Sequence, residues 1–119
     1  MESQFLSLRL HSVKLGVVPN RIISTGGGAS NPSLLQILSD VFGVPVYVSE
    51  TVDSAALGAA YRAAHGSRCD EKKEYIPFQD VIRGTSLKRC TSPCGEAHTV
   101  YSTMLPRFEH LLDGIKNNK

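Results

Sequence analysis

The spacing of apolar residues along the first half of the chain predicts helices that alternate with strands. Apolar positions recur every three or four residues over residues 2–15 and 32–42, which is the pattern of a helix with one buried face. Two short runs, residues 21–25 and 44–48, predict strands, and the second run is apolar almost throughout, as in a strand covered on both faces. This order indicates an α/β layer fold with a parallel sheet.

A third helix, Ala55–Ala64, is predicted to start at Asp53 or Ser54 and to end at His65–Gly66. Nearly all of its side chains are small. Gly58 in its interior costs about 1 kcal/mol relative to alanine, so helix propensity does not account for this composition. Close packing of the helix against a sheet or another helix would account for it.

The second half of the chain has weaker patterns. Residues 67–74 and 85–95 are polar or rich in turn-forming residues and predict surface loops. Residues 76–82 predict one or two helical turns. Residues 96–115 predict a final helix, which Pro106 should kink or split.

These elements suggest one unit made of two parts. We expect residues 1–66 to form an α-β-α-β-α core and residues 67–119 to form peripheral loops and helices. A sheet of two strands would leave both of its edges unpaired. We therefore expect the fold to be incomplete and further strands to come from outside this chain.

Composition narrows the classes of partner and compartment. The 13 Lys and Arg residues are scattered among 11 Asp and Glu residues, so we expect no nucleic acid and no membrane as a partner. No apolar run approaches the roughly 20 residues of a membrane span, and the first residues lack the features of a signal peptide. The 3 cysteines are an odd number, which favours reduced thiols and a cytoplasmic protein.

Three consecutive glycines, Gly26, Gly27 and Gly28, lie where the first predicted strand ends and the second helix begins. Ligands of open α/β sheets bind at such positions. Glycines allow the backbone to approach a ligand closely, and the free N–H groups at the start of a helix favour an anion. A tight turn would need only one glycine, so the loop predicts a site for a phosphate-bearing ligand. Ser30 or Asn31 is expected to cap the helix that follows.

Two known phosphate-binding motifs can be compared with this glycine loop, Gly26–Gly28. A Walker loop is excluded because no lysine lies between Lys14 and Lys72. A dinucleotide-binding fingerprint fits better, since Glu50 follows Gly26 by 24 residues, where a ribose-binding carboxylate belongs. Asn31 replaces the third glycine of that fingerprint. A dinucleotide-binding function stays as one alternative. A second alternative is a non-catalytic binding module that retains the glycine loop.

Cys90, Cys94 and His98 are spaced four residues apart and could be drawn as zinc ligands. Pro93 and Gly95 interrupt the helix that would align them, and no fourth ligand is near. Chance spacing is the better explanation, and we expect no metal site and no catalytic residue in this chain.

Three motifs carry a resemblance to a known family. The order and spacing of Gly26-Gly-Gly-Ala-Ser-Asn31, Leu35-Gln-Ile-Leu-Ser-Asp-Val-Phe-Gly-Val-Pro-Val46 and Ala55-Ala-Leu-Gly-Ala-Ala60 resemble the C-terminal domain of the FGGY carbohydrate kinases. The resemblance implies a ribonuclease H-like, actin-like ATPase fold. It also implies ATP with magnesium, and a sugar substrate that takes up the transferred phosphoryl group.

The same resemblance assigns roles to four residues. Gly26, Gly27 and Gly28 would approach the ribose and the nearer phosphates of ATP, and Asn31 would lie beside the adenine. We expect Gly27 to be the least replaceable, because the ligand would approach it and because the loop could need a left-handed conformation there. The family's sugar-binding domain, its other phosphate loops and its catalytic aspartate precede the matched segment. We therefore expect the chain to be part of a longer kinase and to be inactive alone.

Overall fold

The computed structural model describes residues 1–49, 53–82 and 86–117. These residues form four helices, three strands and two short 3-10 turns: α1 (Glu2–Lys14), β1 (Ile22–Ser24), the turn Gly27–Ser30, α2 (Pro32–Phe42), β2 (Val46–Ser49), α3 (Ser54–Lys72), the turn Phe78–Asp80, β3 (Leu87–Thr91) and α4 (Gly95–Asn117).

The first half of the chain folds as the apolar pattern predicts. β1 and β2 pair in parallel, with Ile22 opposite Val46 and Ser24 opposite Val48. α2 packs beside them and against α1. The buried apolar residues of the described chain lie mainly on these elements: Leu6, Leu10, Leu35, Val41, Val46 and Val81. The helix, strand, loop, helix, strand order of the prediction is confirmed.

Both ends of α2 are fixed by local chemistry. The side-chain oxygen of Asn31 accepts hydrogen bonds from the N–H groups of Ser33 and Leu34, at 3.0 and 3.3 Å, so Asn31 rather than Ser30 is the cap. Gly43 ends the helix with a φ of 71°, in the left-handed region. The imidazole of His98 lies directly over Gly43, where a Cβ atom would come within 2.5 Å of the ring. Gly43 therefore serves both a backbone and a packing requirement.

The predicted end of α3 at His65–Gly66 is wrong, and the loop predicted over residues 67–74 is wrong as far as Lys72, since only residues 73 and 74 lie outside the helix. α3 continues to Lys72 and ends at Lys73, whose φ is 54°. Tertiary contacts stabilise this extension: His65 is buried, and its Nε2 donates to the carbonyl oxygen of Ile76 at 2.6 Å. The ring of Phe78 meets the His65 ring edge-on at 5.3 Å. These contacts offset the low helix propensity of Gly66, which lies inside α3.

The loop predicted over residues 85–95 is wrong at Leu87–Thr91, which form β3, whereas residues 92–94 are irregular as predicted and Thr85 lies outside the described residues. β3 pairs antiparallel with β2, with an irregular register between Val46 and Tyr47. Most of β3 is exposed, so its sequence lacks the alternation of a half-buried strand. β3 is therefore stabilised by its pairing with β2, and the pattern of its own residues does not predict it. The final helix is confirmed, and α4 continues through Pro106 without being split.

The chain is less compact than a globular domain of the same length. Its radius of gyration is 18.8 Å, whereas a compact domain of this length has a radius of gyration of about 13.5 Å. Its accessible surface is 8330 Å², against about 6,300 Å² for a compact protein of this mass. In the described residues, the small side chains of α3 are exposed, and a Cβ atom on Gly58 would meet no atom within 4 Å. The close packing predicted for α3 is not made here.

We expect the 119-residue chain alone to be marginally stable. β1 and β3 are the outer strands of the sheet in the described structure, and apolar residues such as Ile23 and Leu111 are 47% and 65% exposed. Free strand edges and exposed apolar surface favour association over a folded monomer. Circular dichroism and light scattering during heating should show a broad transition or aggregation. A sharp, reversible transition of a monomer above roughly 60 °C would contradict this expectation.

Candidate functional site

The glycine loop follows directly from the carboxyl end of β1. Gly26 has a φ of 80° and a ψ of −171°, a combination that is essentially restricted to glycine. Its carbonyl oxygen accepts from the N–H of Ala29 at 3.0 Å, which starts the 3-10 turn. The hydroxyl of Ser30 donates to the carbonyl oxygen of Gly27 at 2.7 Å and closes the turn. The loop is thus a defined structure held by its own hydrogen bonds.

Gly27 and Gly28 differ from Gly26. Neither has a positive φ, and a Cβ atom at either position would meet nothing within 4 Å. The expectation that Gly27 needs a left-handed conformation is therefore wrong, because the strained backbone lies at Gly26. The N–H groups of Gly27 and Gly28 donate no hydrogen bond to another described residue. Two exposed backbone donors without side chains are thus available to a ligand.

Asn31 lies at the junction of the glycine loop and α2. Its side-chain oxygen caps α2, while its own N–H donates to the carbonyl oxygen of Gly28 at 3.2 Å. The side-chain amide nitrogen makes no hydrogen bond within the described part of the chain. Capping therefore fixes the orientation of this side chain and leaves its donor group exposed.

Two depressions flank the glycine loop. The first, the β1–β2 pocket, holds about 130 Å³ at the carboxyl ends of the parallel strands and includes Ser24, Thr25 and Gly26. The second, the β3 groove, holds about 410 Å³ between the start of α2 and β3; its lining residues are Ala29, Ser30, Pro32, Leu35, Gln36, Lys88, Arg89, Cys90 and Thr91. Sequence reasoning missed the β3 groove because it missed β3.

A buried polar cluster joins β3 and α4 to α2. Asp40 is only 7% exposed, and one of its carboxyl oxygens accepts from the side chain of Gln36 at 2.9 Å and from the N–H of Cys94 at 2.7 Å. Gln36 also donates to the carbonyl oxygen of Ser92 at 3.0 Å and accepts from the hydroxyl of Thr91. This cluster fixes the wall of the β3 groove that lies opposite the glycine loop.

Three residues with shifted pKa values, Tyr101, Lys14 and Arg9, lie outside the glycine loop and the two depressions. A hydrogen bond to the carboxylate of Glu2 raises the pKa of Tyr101 to about 12. A hydrogen bond to Glu109 raises the pKa of Lys14, and burial lowers the pKa of Arg9.

The zinc alternative finds no support in the described geometry. Nδ1 of His98 donates to the carbonyl oxygen of Asp40 at 2.9 Å, while Cys90 and Cys94 are exposed. Within residues 1–49, 53–82 and 86–117, no three His, Cys, Asp or Glu residues converge on a common point as metal ligands. Glu50, the ribose-binding carboxylate of the dinucleotide alternative, lies outside the described residues.

Comparison with known proteins gives one consistent result. Residues 1–67 match the C-terminal domain of the FGGY family of carbohydrate kinases. The xylulose kinases of Rattus norvegicus and Mus musculus are 38% and 39% identical to the chain over 93% of its length, and Xylulose kinase 2 of Arabidopsis thaliana is 44% identical over 71%. The chain spans about a fifth of the length of the rat and mouse relatives, at 21% and 20%, and 15% of the Arabidopsis one.

A solved structure shares the fold. The crystal structure of xylulose kinase from Rhodospirillum rubrum matches 98% of this chain with a TM-score of 0.69 and 24% identity, and the match covers 23% of that protein. The predicted fold class, the C-terminal part of a ribonuclease H-like α/β domain, is confirmed. In the described part of the chain, no helix is long and apolar enough to cross a membrane.

The loop geometry predicts different effects on stability for alanine substitutions at Gly26 and Gly27. Gly26→Ala places a side chain on a backbone with a φ of 80° and should lower the free energy of unfolding by about 1–3 kcal/mol. Gly27→Ala is the matched control, because its Cβ atom enters open space; it should change stability by less than about 0.5 kcal/mol. Urea unfolding of both variants at low temperature checks this. Equal losses would contradict the placement of the strained backbone at Gly26.

Proposed function

Because the chain belongs to the FGGY family of carbohydrate kinases, we propose that it supplies part of the ATP site of a sugar kinase. The observation that carries the proposal is the pair of exposed N–H groups on Gly27 and Gly28, at the carboxyl end of a parallel strand. Neither glycine is required by the packing of the described residues. Close approach of a ligand explains why side chains are missing there.

Each site residue has a proposed role that combines its geometry with the role that the family resemblance implies. Gly26 makes the turn out of β1, since its backbone conformation excludes other residues. Gly27 and Gly28 donate their N–H groups to the ribose or the nearer phosphates of ATP. Asn31 holds the start of α2 with its side-chain oxygen and offers its amide nitrogen to the adenine. Backbone donors at a strand-to-helix junction suit an anionic nucleotide.

Magnesium accompanies ATP in the proposed reaction. It would neutralise charge on the phosphates that are transferred and retained. In the described residues, no group of acidic, histidine or cysteine side chains is arranged to hold it. We therefore assign it no ligand in this chain.

The sugar proposed for the parent enzyme is D-xylulose. The support is the similarity to xylulose kinases from rat, mouse and Arabidopsis. In the reaction, a xylulose hydroxyl attacks the terminal phosphorus of ATP, the bond to the ADP oxygen breaks, and the hydroxyl proton is released. The products are D-xylulose 5-phosphate and ADP. The sugar would be bound mainly by regions of the kinase that this chain does not contain.

The same comparison supports a division of the chain into two parts. We propose that residues 1–66 form the nucleotide-binding core and residues 67–119 its periphery, supported by a family match that ends at residue 67. The dinucleotide-binding alternative loses its support, because the chain belongs to a kinase family and Asn31 occupies the third glycine position. We also propose a cytoplasmic location, where ATP and sugar phosphates are handled.

In the full-length parent kinase, Gly27→Val should weaken ATP binding without unfolding the protein. The two added methyl groups would lie where the ligand approaches, so the affinity for ATP should fall roughly thirtyfold, on the order of 2 kcal/mol. Gly114→Val is the matched control, because Gly114 also faces open space but lies on α4. Titration of ATP into each folded variant, followed by NMR, gives the affinities. An unchanged ATP affinity in Gly27→Val would make the glycine loop a structural turn only.

The 119-residue chain should show no sugar-dependent ATP turnover. Phosphoryl transfer depends on positioning and on charge stabilisation by several loops, and the chain spans only about a fifth of the length of the rat and mouse xylulose kinases. A coupled assay for ADP, with and without xylulose, measures this. An increase in ADP release that depends on xylulose would show that the chain contains its own catalytic groups.

A further inference from the structure

The free backbone groups of the glycine loop, residues 26–28, are donors. The carbonyl oxygens of its three glycines each already accept a hydrogen bond within the loop, from Ala29, Ser30 and Asn31 at 3.0, 2.7 and 3.2 Å. The N–H groups of the second and third glycines, in contrast, donate to no other described residue. A ligand in this loop is therefore bound through its own acceptor atoms.

The helix cap fixes which atom of the Asn31 side chain is free. One atom of the side-chain amide interacts with the N–H groups of Ser33 and Leu34, at 3.0 and 3.3 Å. Backbone N–H groups only donate, so this atom is the oxygen and the other atom is the nitrogen. The nitrogen has no partner in the described part of the chain. Asn31 therefore presents two N–H donors to a ligand beside the loop.

This polarity limits what Asn31 can recognise on a purine base. An asparagine side chain is specific for adenine when its oxygen accepts from the 6-amino group while its nitrogen donates to N7. In this chain the oxygen is already bonded to two backbone N–H groups, so it is not available to the 6-amino group. The contact of the nitrogen with N7 remains. Because adenine, guanine and hypoxanthine all carry N7 as an acceptor, this contact identifies a purine and not adenine alone.

We propose that Asn31 recognises the N7 edge of purine nucleotides and does not distinguish adenine from hypoxanthine. This inference rests on the proposed function, because the glycine loop first places the nucleotide with its base beside Asn31. The site then takes purine nucleoside triphosphates as a class, and inosine triphosphate (ITP) binds in place of ATP. Asn31 contributes to base recognition and takes no part in the chemical step.

Titration calorimetry of the full-length parent kinase with three nucleotides tests the inference. ITP has a carbonyl oxygen in place of the 6-amino group of ATP and a proton on N1, while 7-deaza-ATP keeps the amino group and has a C–H group in place of N7. ITP should bind within about threefold of ATP. 7-Deaza-ATP should bind roughly fivefold more weakly than ATP, because one neutral hydrogen bond is lost.

The variant Asn31→Ser separates base recognition from helix capping. Serine caps a helix about as well as asparagine, so the start of α2 should be kept. The variant lacks the amide nitrogen, so the affinities for ATP and ITP should fall alike, by roughly fivefold. The affinity for 7-deaza-ATP should not change, because this nucleotide has no N7 to contact. Asn20→Ser, on an exposed residue before β1, is the matched control and should leave all three affinities unchanged.

Four results would overturn the inference. ITP that binds more than about threefold more weakly than ATP would mean that the 6-amino group is recognised. 7-Deaza-ATP that binds as tightly as ATP would mean that N7 is not. An equal effect of Asn31→Ser on all three nucleotides, including no effect, would limit Asn31 to its role as a cap. The same losses in Asn20→Ser would show that the effect is not specific to the site.

The same titrations separate this inference from the proposed function. If Gly27→Val weakens ATP binding while Asn31→Ser affects the three nucleotides equally, the glycine loop binds ATP and Asn31 does not recognise the base. If neither variant changes the affinity of the parent kinase for ATP, both proposals are wrong.

Discussion

The arrangement of the second half of the chain depends on one buried carboxyl group. Asp40 lies near the end of α2 and is 7% exposed, so its oxygens must be hydrogen-bonded within the protein. Gln36 and the N–H of Cys94 provide those bonds. Since Cys94 immediately precedes α4, the carboxyl group fixes where that helix begins. Gln36 extends the same cluster to the end of β3.

A second chain of hydrogen bonds carries this constraint to α1. Arg9 on α1 donates to the carbonyl oxygen of Val41 at 2.8 Å and to the hydroxyl of Ser102 at 3.0 Å. His98, one turn before Ser102, packs on Gly43 and donates to the carbonyl oxygen of Asp40. α1, α2 and α4 are thus joined at the end of α2 that lies away from the glycine loop. The loop end of α2 is capped by Asn31 and linked through Gln36 to the end of β3.

The sequence predicted those parts of the fold that local chemistry determines. The bounds of α2 follow from its apolar spacing, from the cap residue Asn31 and from the left-handed Gly43, all of which can be read from neighbouring residues. The extension of α3 is accompanied by a hydrogen bond from His65 to Ile76, which lies in the loop after the helix and 11 residues further along the chain. β3 depends on its pairing with β2, because its residues are mostly exposed and do not alternate between apolar and polar positions. The glycine loop was predictable as a site, whereas the β3 groove required the tertiary pairing.

The central claim is that a nucleotide binds at Gly26–Asn31, and amide hydrogen exchange with and without nucleotide tests it most directly. The N–H groups of Gly27 and Gly28 are exposed and make no hydrogen bond to other described residues, so they should exchange rapidly in the full-length parent kinase without nucleotide. ATP should slow exchange at these two amides, and NAD at the same concentration should leave them unchanged. Equal protection by NAD, or no protection by ATP at saturating concentration, would contradict the account.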